Sequence, residues 1–173
     1  MERIAAMPAE PLDAETVVSE RPNEHREELR LWLRLLTCTT MIEGEVRRRL
    51  RRDFEVTLPR FDLMAQLDKT PGGMTLSEIS KRMMVSNGNL TGLVDRLVTS
   101  GHVTRRASDT DSCAQLISLT PLGRTEFGTM ATAHEGWIAA MFAGLSPQRV
   151  EDLMGLLGRT KDSVRIARAE DGS

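Results

Sequence analysis

The sequence predicts a mainly α-helical fold that carries one small β-hairpin. Most of the chain repeats apolar residues at three- and four-residue intervals, which lines one face of an α-helix. Two short stretches, residues 102–106 and 115–120, instead alternate apolar with polar residues, which is the spacing of a strand. Glycine, proline and short polar residues separate these stretches, so each helix or strand has a recognisable start and end.

Length and composition restrict the class of protein. The chain has 173 residues, 40% of them apolar and 28% charged, which fits one globular domain with a real core. It contains no apolar run of membrane-spanning length and no pattern of a secretory signal, so we expect a cytoplasmic protein with no membrane partner. The two cysteines are too few for a disulfide framework. The net charge of −2 does not exclude DNA binding, because arginines cluster at residues 47–52 and 105–106.

A long helix is predicted near the N-terminus. Residues 1–24 contain three prolines and little apolar periodicity, so we expect a mobile arm there. Over residues 25–55, Leu31, Leu35 and Cys38 begin an apolar stripe that a second stripe widens. A face this wide indicates burial on two sides, as in a dimer interface.

Three shorter helices and the hairpin follow over residues 56–120. Pro59 fits the first turn of a helix. Thr75 and Glu78 have the spacing of a capping box, and Ser86 is a good N-cap for the third short helix. This order predicts a winged helix-turn-helix domain, in which the third short helix reads DNA and the hairpin is the wing.

The last part of the chain is predicted to be helical again. A Ser-Pro or Thr-Pro pair opens each of two helices over residues 121–168, and residues 169–173 are expected to be a disordered tail. The winged domain is too small to need these helices for its own core. We therefore expect them, together with the long first helix, to form the interface of a homodimer. This homodimer would present two DNA-binding domains to a pseudo-palindromic operator in double-stranded DNA.

Two stretches resemble one known family. TLSEISKRMMVSNGNLTGLVDRLVTSGHVTRR and LISLTPLGR, within a continuous match over residues 56–125, resemble the MarR family of transcription regulators. The resemblance implies a cytoplasmic homodimer, not an enzyme and without a cofactor. It further implies DNA binding, usually as a repressor, with release by a small ligand.

The resemblance places the recognition helix on residues 86–99, with its N-terminal end facing the base edges. Asparagine can bind adenine through two hydrogen bonds, hydroxyls contact bases or phosphates, and arginines contact phosphates. A polar helix start without base contacts is the alternative for residues 87–89, and a local pair with Asp95 is the alternative for Arg96. The candidate DNA-binding residues are Ser86, Asn87, Asn89, Thr91, Arg96, Arg105 and Arg106.

The wing tip departs from the family pattern. Wings in this family usually read D-x-x-D-R-R or similar, whereas here Asp111 remains and Ser112 and Cys113 replace both arginines. We expect weaker DNA binding that depends less on the wing, because one or two cationic contacts are lost.

A narrower resemblance concerns the ligand. LRLWLRLLTCTTMIEGEVRRRLRRDF, TLPRFDLMAQLDKTPGGMT and MATAHEGWI resemble a MarR branch that responds to hydroxycinnamoyl-CoA thioesters, such as p-coumaroyl-CoA or feruloyl-CoA. This implies control of aromatic catabolism, and a MarR-type regulator of another phenolic ligand is the alternative. Apolar residues would hold the aromatic group between the long first helix and the recognition domain, and arginines would hold the phosphates. The candidate ligand-binding residues are Trp32, Arg34, Leu36, Arg48, Arg60, Phe61, Met64, His134 and Trp137.

Each of these residues has a structural alternative. The apolar ones are more often core or dimer interface, the arginines at residues 47–52 often form a solvated helix face, and His134 is more often a packed histidine. For Arg60, which lies just inside a predicted helix start, the alternative to ligand binding is contact with a DNA phosphate.

Other functions are weaker on this sequence. A thiol-based redox sensor would use Cys38, but we expect that thiol to be inert within an apolar stripe, and no base beside Cys113 activates it. The three histidines lack the paired spacing of metal ligands, and no catalytic motif is present. A winged-helix protein–protein adaptor that has lost DNA binding remains an alternative because of the altered wing tip.

Overall fold

A computed structural model describes residues 27–107 and 115–170. The predicted arm at residues 1–24, the wing tip with Ser112 and Cys113, and most of the predicted tail lie outside these residues. The described elements follow the predicted order, with one strand added: α1 Glu27–Phe54, α2 Leu58–Asp68, β1 Met74–Thr75, α3 Leu76–Met83, α4 Asn87–Thr99, β2 Val103–Ala107, β3 Gln115–Leu119, α5 Pro121–Phe142 and α6 Pro147–Glu170.

The chain divides into two compact units, Met1–Met130 and Ala131–Ser173. The core of the first unit is formed by α2, α3, α4 and the sheet, together with the C-terminal end of α1 and the start of α5. The expectation that the winged domain does not need the flanking helices for its core is therefore wrong, because Leu50 and Met130 are buried in it. The fully buried side chains of this core are almost all aliphatic, which is the composition expected where close packing supplies the stability. They include Leu50, Leu63, Met64, Leu67, Met74, Ile79, Leu90, Val94, Leu97 and Ile117.

The sheet has three antiparallel strands in the order β1-β3-β2. Val103 pairs with Leu119 at the base of the wing, and Met74 pairs with Ile117 on the other side of β3. The sequence did not indicate β1, because a two-residue strand has no alternation to detect. Through β1 the wing is joined directly to the start of α3.

Most predicted helix starts are confirmed. Thr75 and Glu78 form the capping box: the Glu78 N–H donates to Thr75 Oγ1 at 3.3 Å, and the Thr75 N–H donates to Glu78 Oε2 at 2.8 Å. Thr120 Oγ1 accepts the N–H of Gly123 at 3.0 Å. Ser86 occupies the N-cap position of α4, but its side chain makes no capping hydrogen bond.

The long helix α1 is buried only near its C-terminal end, at Val46 and Leu50. Its N-terminal half exposes large apolar side chains, such as Trp32 at 57%. The expectation that Cys38 lies in a covered apolar stripe is wrong for the single chain, where Cys38 is exposed because no described side chain covers it.

The second unit contains the end of α5 and all of α6. No residue of α6 is buried in the described chain, although the helix carries a row of large apolar residues. His134 and Trp137, one turn apart on α5, meet edge to face with ring centroids 6.5 Å apart. Within the described ranges, no helix is both long enough and apolar enough to span a membrane.

Candidate nucleic-acid interface

Helix α4 has one buried face and one exposed polar end. Leu90, Leu93, Val94 and Leu97 pack into the core of the first unit. The candidate base-reading residues at the start of the helix lie on the other side, and all four of them are exposed: Ser86, Asn87, Asn89 and Thr91. The buried leucines therefore fix the orientation in which the polar end is presented.

The hydroxyl proton of Thr91 is already used in a hydrogen bond within its own helix. Its hydroxyl donates to the carbonyl oxygen of Asn87 at 2.8 Å, so towards a ligand it acts as an acceptor. Gly88, between the two asparagines, has open space where a side chain would stand. Another backbone can therefore approach this turn of α4 closely.

The two arginines at the base of the wing are held in place. The Arg105 guanidinium donates to Asp95 of α4 at 2.6 Å, and Arg106 donates to the carbonyl oxygen of Gly72 at 2.8 Å. The Asp95–Arg105 pair links the recognition helix to the first wing strand. The alternative for Arg96, a local pair with Asp95, is wrong, because Asp95 pairs with Arg105. Arg96 is exposed and forms no ion pair within the described part of the chain.

A groove of about 460 Å³ lies beside the recognition helix. The first turn of α3 lines one side; the positive end of that helix favours an anion, and the Glu78 carboxylate of the capping box already lies there. Thr91 and Arg105 line the other side. The complete lining is Thr75, Leu76, Ser77, Thr91, Arg105, Gln115 and Ile117. The groove thus joins three elements that can contact a phosphate backbone.

The arginine cluster at residues 47–52 is largely neutralised by acids on the same helix. Arg47 pairs with Glu43, and Arg48 and Arg49 donate to Glu45 at 2.6 and 2.5 Å. The hydrogen bonds from Arg48 and Arg49 lower the pKa of Glu45 to about 2. Such exposed pairs contribute little stability. The geometry is that of a solvated helix face, and the predicted ligand residue Arg48 lies within it.

Arg60 is engaged inside the first unit. Its Nη2 lies 3.2 and 3.3 Å from the two ring nitrogens of His102. His102 Nε2 in turn lies 2.5 Å from Glu126 Oε2. Sequence reasoning did not single out His102 or Glu126. The available signal was a histidine directly before the buried Val103, at the start of a strand.

The predicted aromatic pocket is not assembled within the first unit. Phe61 and Met64 are 6% and 0% exposed, and Phe61 packs against Phe127 with ring centroids 5.5 Å apart. Trp32 lies 14 residues before the first buried residue of α1, Val46, or about 21 Å along the helix axis. Phe61 and Met64 are therefore core residues in this structure, and a ligand would reach them only if the core opened.

The remaining candidate ligand residues lie in other places. Leu36 is 45% exposed on α1, near Trp32. Arg34 lines a shallow groove of about 200 Å³ together with Glu27, Arg30 and Leu31. His134 and Trp137 are half-buried and belong to the second unit. Among the residues that the structure describes, no group of three His, Cys, Asp or Glu side chains has the arrangement of a metal site.

Comparisons with known proteins agree with this architecture. The MarR family profile matches residues 56–112. The chain is 32% identical over 155 residues to the HTH-type transcriptional regulator YfiV of Bacillus subtilis, covering 87% of this chain and 94% of YfiV. It is 28% identical to the transcriptional activatory protein BadR of Rhodopseudomonas palustris, where the match spans 59% of each protein. The match to YkoM of Bacillus subtilis, at 31% identity, spans 57% of that regulator.

Solved structures share the fold. A MarR family transcriptional regulator from Silicibacter pomeroyi superposes with a TM-score of 0.66 at 29% identity, covering 84% of this chain and 97% of that one. The MepR–DNA complex of Staphylococcus aureus superposes with a TM-score of 0.65 at 16% identity, covering 75% and 94%, which is a likeness of fold. The winged helix-turn-helix, the order of its flanking helices and the near full-length match to YfiV lead to one conclusion: the chain belongs to the MarR family of transcription regulators.

Proposed function

We propose that the protein is a homodimeric repressor that binds a pseudo-palindromic operator and is released by an aryl-CoA thioester. The observation that carries the DNA-binding part is the exposed polar end of α4, held in a fixed orientation by the buried leucines on its other face. Membership of the MarR family supports the same role.

Different residues of the interface would contact the bases and the phosphates of the DNA. Asn87 and Asn89 are suited to adenine edges, and Ser86 and Thr91 to bases or phosphates. Arg106, held at the wing base, and the exposed Arg96 supply positive charge for phosphates, and Arg105 would do so by exchanging its partner Asp95 for a phosphate. The groove beside α3 would accept the phosphate backbone between the recognition helix and the wing.

Restoring the wing arginines tests the contribution of the tip. Ser112→Arg with Cys113→Arg should tighten DNA binding and steepen its salt dependence by roughly one unit for each new phosphate contact. Fluorescence anisotropy with an operator duplex at several salt concentrations measures both quantities. A double variant with unchanged affinity and salt slope would show that the tip does not contact DNA.

The effector proposal rests on the sequence resemblance, with partial support from the structure. Trp32 and Leu36 present apolar surface on the N-terminal half of α1, and Arg30 and Arg34 line a groove on that half. An aromatic group and a phosphate-rich chain would find both kinds of partner there. His134 and Trp137 of the second unit and Arg48 and Arg60 of the first remain candidates, whereas Phe61 and Met64 would require the core to open.

One titration tests the whole proposal. Fluorescence anisotropy is measured with DNA from upstream of the protein's own gene, at two salt concentrations, with and without p-coumaroyl-CoA. We expect tight, salt-sensitive binding that the thioester reverses. Binding that ignores the thioester would remove this effector and keep the DNA-binding role. Absence of binding at low salt would favour the protein–protein adaptor.

The sign of regulation needs its own experiment. One relative is named a transcriptional activatory protein, BadR, and another a transcriptional repressor, YetL of Bacillus subtilis at 28% identity. Transcription in vitro from the bound promoter should fall when the protein is added. A rise would assign the protein as an activator.

A further inference from the structure

Met84 lies in the turn between α3 and the recognition helix α4, and it is the most exposed of the large apolar residues that the structure describes. Its side chain is 91% exposed, whereas Ile79 of α3 and Leu90 of α4, on either side of the turn, are almost completely buried. An apolar side chain stabilises a fold mainly by leaving water. Met84 therefore contributes almost nothing to the core.

The backbone of Met84 is in the left-handed region, with a φ of 54° and a ψ of 38°. Hydrogen bonds hold it there. The N–H groups of Met84 and Val85 both donate to the carbonyl oxygen of Ser80, and Ser80 Oγ donates to the carbonyl oxygen of Val85 at 2.6 Å. Glycine adopts this conformation freely and is the usual residue at such a helix end, whereas a residue with a Cβ is strained. Met84 costs stability without adding burial, so the fold alone does not account for its side chain.

Met84 is continuous with the proposed DNA-binding surface. It precedes Asn87 by three residues, so their Cα atoms are at most about 11 Å apart, which is about three base steps along DNA. The helices on both sides of the turn are anchored in one core, α3 by Ile79 and α4 by Leu90 and its other buried residues. The backbone of Met84 is therefore held at a fixed place beside the polar end of α4.

The chemistry of methionine selects its contact on DNA. The thioether carries no charge and no hydrogen-bond donor, so it does not attract a phosphate. Its unbranched, polarisable side chain packs on apolar groups of varied shape. In the major groove, the apolar group within reach of a protein is the C5-methyl group of thymine, which the other three bases lack. A methionine beside a recognition helix is thus suited to distinguish thymine from those bases.

We infer that Met84 is a specificity-determining residue of the operator interface, which packs on a thymine methyl group next to the bases that α4 contacts. The inference rests on the proposed DNA-binding function. The turn exposes at this surface a strained side chain that the fold does not need, and functional sites are where such strain is retained. A homodimer would make the contact once in each operator half-site.

Removing single methyl groups from the DNA tests the contact. In the operator duplex from upstream of the protein's own gene, each thymine of a half-site is replaced in turn by deoxyuridine, which lacks only the C5-methyl group. Fluorescence anisotropy then measures the affinity. At one position the wild type should lose about fourfold for each methyl group removed. Met84→Gly should bind the unmodified operator more weakly and lose nothing further at that position. A Met84→Gly variant that responds to every replacement as the wild type does would overturn the inference.

Glu55→Gly is the matched control, because Glu55 is the other non-glycine residue described with a positive φ, at 57°, and it is exposed after the end of α1. Thermal unfolding followed by circular dichroism should give both variants a Tm about 2 to 4 °C higher, since each relieves the same strain. Only Met84→Gly should lose operator affinity. A lower Tm for Met84→Gly would show that the fold needs this side chain, which contradicts the inference. A wild type that binds no operator at low salt would remove the proposed function, and the thymine contact with it.

Discussion

Gly123, in the first turn of α5, lies directly against the backbone of His102. A Cβ at this position would lie 2.0 Å from the backbone carbonyl oxygen of His102, and backbone cannot move aside as a flexible side chain can. We expect Gly123→Ala to destabilise the fold by about 3 kcal/mol, since α5 must shift away from the turn that follows α4. Urea unfolding followed by circular dichroism measures the change.

Gly128 provides the matched control, because it is on the same helix and has nothing within 4 Å of an added Cβ. Gly128→Ala should gain up to about 1 kcal/mol from helix propensity alone. Equal effects of the two substitutions would show that the contact between Gly123 and His102 is not as close as described.

At the scale of one element, the start of α3 depends on its capping box. Thr75→Ala removes the acceptor for the Glu78 N–H and should cost about 1 kcal/mol in the free energy of unfolding. Ser86→Ala at the start of α4 is the control, and it should change stability by less than about 0.5 kcal/mol because Ser86 makes no capping bond. Equal losses in the two variants would contradict this.

The same capping box predicts a pH dependence. Hydrogen bonds from the Thr75 backbone and hydroxyl lower the pKa of Glu78 below its usual 4.5. A lowered pKa in the folded state contributes stability above pH 4.5, and that contribution is lost as pH falls through the folded value. Thr75→Ala keeps the backbone N–H, which is the larger cause, and removes only the hydroxyl's share of this contribution. Its cost should therefore shrink in part as the pH falls, and urea titrations at neutral and acidic pH measure it.

The recognition helix predicts an effect on binding rather than on stability. Asn89→Ala should weaken operator binding by about tenfold or more, as expected for loss of one base contact, and leave the unfolding midpoint almost unchanged because the side chain is exposed. Thr99→Ala, at the far end of the same helix, is the control and should bind as the wild type does. A normal affinity of Asn89→Ala would remove this residue from the interface.

Local signals in the sequence were sufficient for most element boundaries. A capping box, Pro59 and the Thr120-Pro121 pair act within one helical turn, so their meaning does not depend on the rest of the fold. Side-chain partners were not predictable in this way. Asp95 pairs with Arg105 from the wing rather than with the adjacent Arg96, and Arg60 packs on a histidine 42 positions away.

The candidate ligand residues show the same limit. An apolar stripe predicts that a residue is buried, but it does not distinguish burial in the protein core from burial against a ligand. Met64 proved to be core, whereas Trp32, in an equally apolar stripe, is 57% exposed in the single chain.

At the scale of the whole molecule, α6 is the clearest reason to expect a second copy. Large apolar side chains recur along it, yet none of its residues is buried in the described chain. An apolar row of this length exposed to water is uncommon in a monomer. In the proposed homodimer, a symmetry-related copy would cover this row and would set the spacing of the two DNA-binding domains on DNA.

Opposite faces of α6 allow a matched test of this dimer. Leu157 shares one face of α6 with Val150, Leu153 and Val164, whereas Ile166, nine residues after Leu157, lies about 180° around the helix. Leu157→Glu places a charge within the proposed interface, where an unpaired charge is costly, so it should shift the protein towards monomer and weaken operator binding. Ile166→Glu introduces the same charge on the other face and should leave the dimer intact.

Light scattering after size exclusion gives the mass of each variant. A dimeric Leu157→Glu with full DNA affinity would place the interface elsewhere, and a monomeric wild type would mean that another molecule covers α6.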